Sequence, residues 1–144
     1  MSSKILIGLV TFVLIGFSTA CDKLWLDSYW RSDRYVLLAV DAKSQMTLSF
    51  DLQDGSALGL VGPTIFSIGS DDKYIVVKQH PATNAVASSF DRSITNYFIV
   101  ERNHSSQYED RQKGVRGPLK KEEFDRLRSS LSLPPFTKTF NDLE

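Results

Sequence analysis

The sequence predicts an α+β fold, a mainly antiparallel β-sheet of four to six strands with one C-terminal helix packed on it. Three features of the 144-residue chain carry that expectation. Runs of β-branched and aromatic residues recur between turn residues from position 35 to position 101, and the run at 46 to 52 alternates apolar and polar side chains with a period of two. One stretch, about residues 119 to 131, carries Phe124, Leu127 and Leu131 at i, i+3 and i+7, the spacing of an apolar helix face. With 42% hydrophobic and 24% charged residues, the composition is that of an ordinary globular domain.

The first twenty residues, MSSKILIGLVTFVLIGFSTA, differ from the rest. They contain one charge, Lys4, and an apolar stretch from Ile5 to Phe17 broken only by Gly8, Thr11 and Gly16. A membrane-spanning helix needs about 20 apolar residues, whereas the apolar core of an export signal needs about 7 to 15. The length favours a signal peptide over residues 1–20. Ser18, Thr19 and Ala20 are small and uncharged, as a signal peptidase requires, which places the cut between Ala20 and Cys21.

Cys21 is the only cysteine in the chain. In an oxidising compartment cysteines are usually paired, and one cysteine cannot staple its own chain. An apolar run, small residues and then a cysteine at the cut resemble the bacterial lipoprotein signal. That resemblance implies a diacylglyceryl thioether on Cys21, often with a further acyl chain on its freed amine. Each buried methylene is worth about 0.8 kcal/mol, so two or three chains hold a protein nearly permanently where one holds it marginally. The sequence departs from the lipoprotein pattern at Ser18, where an aliphatic residue usually stands. Three readings therefore stand side by side: lipid-anchored at Cys21, cleaved with a free N-terminal thiol, or uncleaved and held by residues 5–20. Asp22 resembles the residue that keeps enteric lipoproteins in the inner membrane.

Residues 21–34 are expected to form a lipidated N-terminus and tether whose Trp25, Tyr29 and Trp30 dock on the edge of the domain, or serve as an aromatic binding patch or an interfacial anchor. A single globular domain is expected from 35 to 144. Within it, 35 to 41 and 46 to 52 are joined by the short AKSQ segment of a hairpin. Asp54 and Gly55 break the pattern. VGPTIFSIG then reads as an edge element, because Pro63 cannot donate to a ladder. The turn residues GSDDK at 69 to 73 lead into YIVVKQH, apolar on both parities and so expected to be a central strand. ITNYFIVE at 94 to 101 is expected to pair with it antiparallel across a long loop, and 102 to 117 to be an exposed polar loop. Pro134 and Pro135 end the helix.

YIVVKQ, NYFIVER and GPLKKEEF are together similar to the closing half of small bacterial lipoproteins that carry an uncharacterised domain of unknown function. The chain departs from that pattern at Lys120, where a hydroxyl would cap the helix and pair with Glu123. A lysine there also opposes the helix dipole.

No catalytic, cofactor or metal motif is found. His80 and His104 are the only histidines, without a cysteine partner for zinc if Cys21 is lipidated. DLQDG at 51 to 55 lacks the closing glutamate of a calcium loop, and Gly55, Gly59 and Gly62 are misplaced for a dinucleotide fingerprint. With 17 Lys+Arg against 17 Asp+Glu, the chain has no electrostatic footprint for nucleic acid. Arg111, Lys113, Arg116, Lys120 and Lys121 form a basic run that would either be solvated or touch anionic lipid or an acidic partner. The expectation is a lipid-anchored cell-envelope protein, not an enzyme, that faces the periplasm and acts on a protein partner by binding or as a structural element. An inhibitor or immunity-type lipoprotein with a protruding loop at 81 to 93 or 102 to 116, and an envelope hydrolase with titratable groups around His80 or His104, are the competing classes.

Overall fold

The computed structural model describes residues 27–103, 105 and 107–144. Among them, nine strands form two antiparallel sheets where one sheet of four to six strands was expected. The first holds β1 (Asp27–Ser32), β2 (Tyr35–Ala39), β3 (Thr47–Asp51) and β4 (Ala57–Val61) in sequence order. The second holds β5 (Ile65–Ser70), β6 (Tyr74–Gln79), β7 (Asn96–Glu101), β8 (Val115–Leu119) and β9 (Lys138–Thr139), in the order β8-β7-β6-β5-β9. Two α-helices, α1 (Tyr108–Lys113) and α2 (Lys121–Leu131), and a 3-10 turn at Lys43–Gln45 complete the described residues.

The expected hairpin of β2 and β3 forms, with Tyr35 opposite Phe50 and Leu38 opposite Thr47. β6 is the middle strand of its sheet and pairs antiparallel with β7, from Tyr74 opposite Glu101 to Gln79 opposite Asn96. Its two parities serve two layers. Ile75 and Val77 join Leu37, Leu48 and Phe50 in a core between the sheets, while Tyr74 and Val76 join Ile99 and Phe124 beneath α2. A strand buried on both faces has no reason to alternate, which is why this run is apolar throughout.

The C-terminal helix packs on the second sheet by Phe124, which is fully buried with its ring centroid 4.8 Å from that of Tyr97. Burying such a side chain is worth about 1.5–3 kcal/mol. Ser132 takes a left-handed conformation just after the helix, its N–H bonds to the Arg128 carbonyl, and Pro134 follows.

Several segments differ from expectation. Residues 27–32, expected within the tether, form β1 and bond to β2, and Lys138 Nζ donates to the Tyr29 carbonyl at 2.6 Å. β4 lies across the expected break, which DGSALG at 54 to 59 marks, and reaches Val61, the first residue of the expected edge element. β5 is not an edge strand, because β9 covers its outer side; Pro63 precedes it in the crossing between sheets, where a missing N–H costs no ladder bond. The polar segment 102–117 contributes α1 and the start of β8.

The sandwich has two distinct ends. β1 begins beside Ala39, and at this entry end Thr64 and His80 exchange backbone hydrogen bonds while Thr64 Oγ1 donates to the Ser44 carbonyl at 2.5 Å. At the far end Tyr35 Oη accepts from the Asn103 N–H at 3.2 Å, and Arg102 donates to Ser32 Oγ.

Candidate functional site

Strand register builds a cationic and aromatic cluster at the far end. Because Tyr35 faces Phe50 across the β2–β3 pair, their rings meet edge to face at 5.1 Å. Three arginines gather on this pair. Arg34, from the β1–β2 turn, places its guanidinium carbon 4.4 Å from the Phe50 centroid; Arg111, from α1, lies 3.2 Å from the same centroid; Arg102, just after β7, lies 5.2 Å from that of Tyr35. Cation–π contacts of this kind are worth about 0.5–2 kcal/mol, the larger values when desolvated.

The donors of this cluster outnumber their acceptors. Arg34 Nε donates to the Asp51 carbonyl at 2.9 Å. Arg111 is only 2% exposed and donates to the carbonyls of Asn103, at 3.3 Å, and Ser105. Its Nε and that of Arg102 are buried without a partner. Among the described residues neither Arg102 nor Arg111 has a carboxylate within ion-pairing distance. The nearby Asp51 carboxylate is committed to the Gln53 N–H and to Arg31 at 2.9 Å, and these hold its pKa below the usual 3.8. A guanidinium has five donors and no acceptor, so the half-buried Arg34 and Arg102 can turn their outer N–H groups to acidic groups from outside, while the buried Arg111 backs them.

The second titratable feature lies at the entry end. His80, 3% exposed, is stacked between Phe66 and Phe90, with centroids 4.1 and 5.9 Å away. Its Nδ1 lies 2.7 Å from the Ile94 carbonyl, which can only accept, so Nδ1 carries the hydrogen; Nε2 is buried without a partner. The carboxylate of nearby Asp91 turns instead to the Ser93 hydroxyl and N–H, at 2.6 and 2.9 Å, and these hold its pKa down.

Over residues 32–143 the chain matches a family described as a protein of unknown function (DUF3997). The chain belongs to that family. Comparison with curated proteins and with solved structures finds no match. The similarity to an uncharacterised domain family therefore reaches well beyond the second half of the chain. In this DUF3997 domain both the arginine cluster and His80 fall inside the matched span.

Other residues singled out in the sequence are spread over the domain. Cys21, Ala20, Ser18, Asp22, Trp25 and His104 lie outside the described residues. The basic run does not form one surface: Arg111 is buried on Phe50, Lys113 pairs with Asp110 at 3.2 Å, and Lys121 pairs with Asp125 at 2.5 Å. The Asp125 carboxylate raises the Lys121 pKa above 10.5. DLQDG is a turn with Gly55 at φ +92°. The loop from 81 to 95 is bound back onto the domain, with Gln45 Nε2 donating to the Val86 carbonyl at 3.0 Å and Arg92 to the carbonyls of Asp142 and Glu144. A shallow open groove of about 420 Å³ runs along α2, lined by Glu123, Arg126, Leu127 and Ser130. Among the described residues there is no group of three or more metal-ligating side chains, and no helix is long and apolar enough to cross a membrane.

Sequence reasoning singled out Arg111 but missed Arg34, Arg102, Tyr35 and Phe50. Their meeting depends on register and on the return of the chain after β7. The only local signal was the conjunction of an arginine and an aromatic at 34 and 35.

Proposed function

We propose that this protein is a lipid-anchored component of the bacterial cell envelope that binds an acidic protein partner through the arginine cluster at its far end. The placement of the only cysteine, Cys21, directly after the small residues Ser18, Thr19 and Ala20 carries the anchoring. The half-buried Arg34 and Arg102, held over the Phe50 and Tyr35 rings without a carboxylate pinned to Arg102, support the binding, since arginine is among the residues enriched at interface hot spots. Asp22 favours retention in the inner membrane, with the domain facing the periplasm. The inhibitor or immunity-type reading relies on a protruding loop, and the bound-back 81–95 segment favours a rigid binding domain instead. A hydrolase would need a reachable base, and the rings of Phe66 and Phe90 enclose the His80 ring.

Two measurements on the protein from its native envelope test this reading. Intact-mass analysis is expected to show diacylglyceryl on Cys21; an unmodified thiol ends the anchoring. Affinity capture with the wild type and with Arg102→Glu is expected to give one stoichiometric acidic partner that the variant loses. Equal capture by both removes the far end from the binding account.

A further inference from the structure

The four large apolar side chains most exposed among the described residues are Val40, Val86, Ile94 and Tyr108, at 61%, 63%, 47% and 43%. Three of them lie at the entry end. Val40 follows Ala39, which is the register partner of Asp27, so it stands beside the point where the chain enters β1. The Gln45 side chain accepts from the Asp41 N–H at 3.0 Å and donates to the Val86 carbonyl at 3.0 Å, bringing the loop carrying Val86 alongside Val40. Ile94 joins the same end through its carbonyl: it accepts from His80, His80 and Thr64 exchange backbone bonds, and Thr64 donates to Ser44. Tyr108, by contrast, opens α1 at the far end.

The geometry points to a bilayer-facing end: Val40, Val86 and Ile94 rest in the head-group boundary of the membrane to which Cys21 is anchored. This rests on the lipid-anchor reading above. Its occupant is set by the length of the leading chain, because six residue steps from Cys21 to Asp27 span at most about 20 Å fully extended. The entry end therefore cannot leave the neighbourhood of the bilayer, while strands of five or six residues set the arginine cluster about 17–20 Å further out.

The charges at this end are largely committed to one another. Lys43 bonds both carboxylate oxygens of Asp142, at 2.6 and 2.8 Å; Arg92 serves the Asp142 and Glu144 carbonyls; Asp91 turns to Ser93. With Asp41 and Glu144 also present, the end offers no surplus of positive charge, and the contact is apolar instead of a salt-dependent grip on anionic lipid. Three aliphatic side chains are too few to hold a soluble protein on a membrane. A tethered one is held at high effective concentration, where such a contact suffices to orient it.

Because the wild-type chain has no cysteine other than Cys21, single cysteines can be placed for labelling. The lipidated variants Val86→Cys and Tyr108→Cys, each carrying a thiol-linked fluorophore, are incorporated into vesicles of phosphatidylcholine and phosphatidylethanolamine containing nitroxide-tagged lipid. Quenching is expected to be several-fold greater at position 86 than at position 108. Equal quenching, or none at 86, overturns the inference, whether that end is free or covered by a second copy. Mass analysis of the same samples keeps the two readings apart. Lipid on Cys21 without quenching at 86 defeats the orientation alone, whereas absence of lipid defeats the anchor and this inference with it.

Discussion

The guanidinium carbon of Arg111 lies 3.2 Å from the centroid of the Phe50 ring, joining a short surface helix to the core between the two sheets. The same side chain holds the Asn103 and Ser105 carbonyls, so one residue fixes α1, the segment before it and the open end of the sandwich. Arg111→Ala is expected to cost about 2–4 kcal/mol, since it leaves a hole over Phe50, takes the Arg111 donor from the Ser105 carbonyl and leaves the Asn103 carbonyl only the Tyr35 hydroxyl. Arg111→Lys is expected to cost roughly half as much, because an ammonium keeps the charge but loses the planar stack and fork. Urea unfolding monitored by circular dichroism measures both. Midpoints unmoved from wild type would show that Phe50 does not depend on the stack.

His80 tests whether its ring serves packing. His80→Ala removes the partner stacked on Phe66 and Phe90 and the hydrogen bond to Ile94, for an expected loss of about 2–4 kcal/mol. His80→Asn keeps a donor near the Nδ1 position and is expected to recover roughly 1 kcal/mol of that loss. If the alanine variant is as stable as wild type, the stacking has no structural value, and the enzymatic class regains its candidate base.

Gly69 lies where another stretch of backbone leaves no room for a side chain. A Cβ built there would lie 1.8 Å from the Pro135 carbonyl oxygen, where the chain leaving α2 crosses β5. Gly69→Ala is expected to cost about 3 kcal/mol or more, as backbone must separate from backbone. A melting temperature within a degree or two of wild type would mean that the crossing can shift freely.

Much of this architecture was legible in the sequence, and what was missed has physical causes. The β2–β3 hairpin, the β6–β7 pair and α2 were readable because their side chains repeat with a clear period or fill both faces. β4 was missed because Ala57 and Gly59 put little apolar surface on one side, and β8 because Gly117 and Pro118 read as punctuation. β1 reads as tether in the sequence because Tyr29 and Trp30 sit among charges without a clear period of two. The division into two sheets depends on which face of each hairpin turns inward after Gly62 and Pro63, which periodicity does not record. The arginine cluster is long-range for the same reason: Arg102 meets Tyr35 only once both sheets have closed on one core.

Acid should destabilise the domain over a defined range. Asp51, Asp54, Asp91, Asp110 and Asp142 are all held below the usual 3.8, chiefly by the Gln53 N–H, the hydroxyls of Ser56, Ser93 and Ser105, and the Lys43 ammonium respectively. A carboxyl whose folded pKa is depressed adds stability above its unfolded pKa and loses it as the pH falls through the folded value. The melting temperature is therefore expected to be flat from neutral pH down to about 5 and to drop below about pH 4. Calorimetry at stepped pH checks this. A melting temperature unchanged between pH 5 and pH 2.5 would mean that these turn and surface bonds contribute nothing in solution; each group is exposed enough that none alone should dominate.

The start of α2 offers a gain in stability. Lys120 is the residue before the first helical turn, with φ −79° and ψ 162°, the extended geometry of a capping position, yet its side chain makes no capping bond. Its carbonyl already accepts from the Phe124 N–H at 2.9 Å, so the backbone is set and only the side-chain acceptor is lacking. The ammonium also faces the positive end of the helix dipole. In Lys120→Ser a hydroxyl would reach the N–H of Glu123, and the Glu123 carboxylate could answer to the backbone N–H of residue 120, completing a capping box. Relief of the repulsion and one new hydrogen bond together should add about 0.5–1 kcal/mol, or a rise of about 2–5 °C in Tm for a domain of this size. Lys120→Ala, which removes the charge without supplying an acceptor, should recover only the smaller, salt-sensitive part. A serine variant that melts below wild type would show that the Lys120 stem contributes packing at the β8–α2 junction that outweighs a cap.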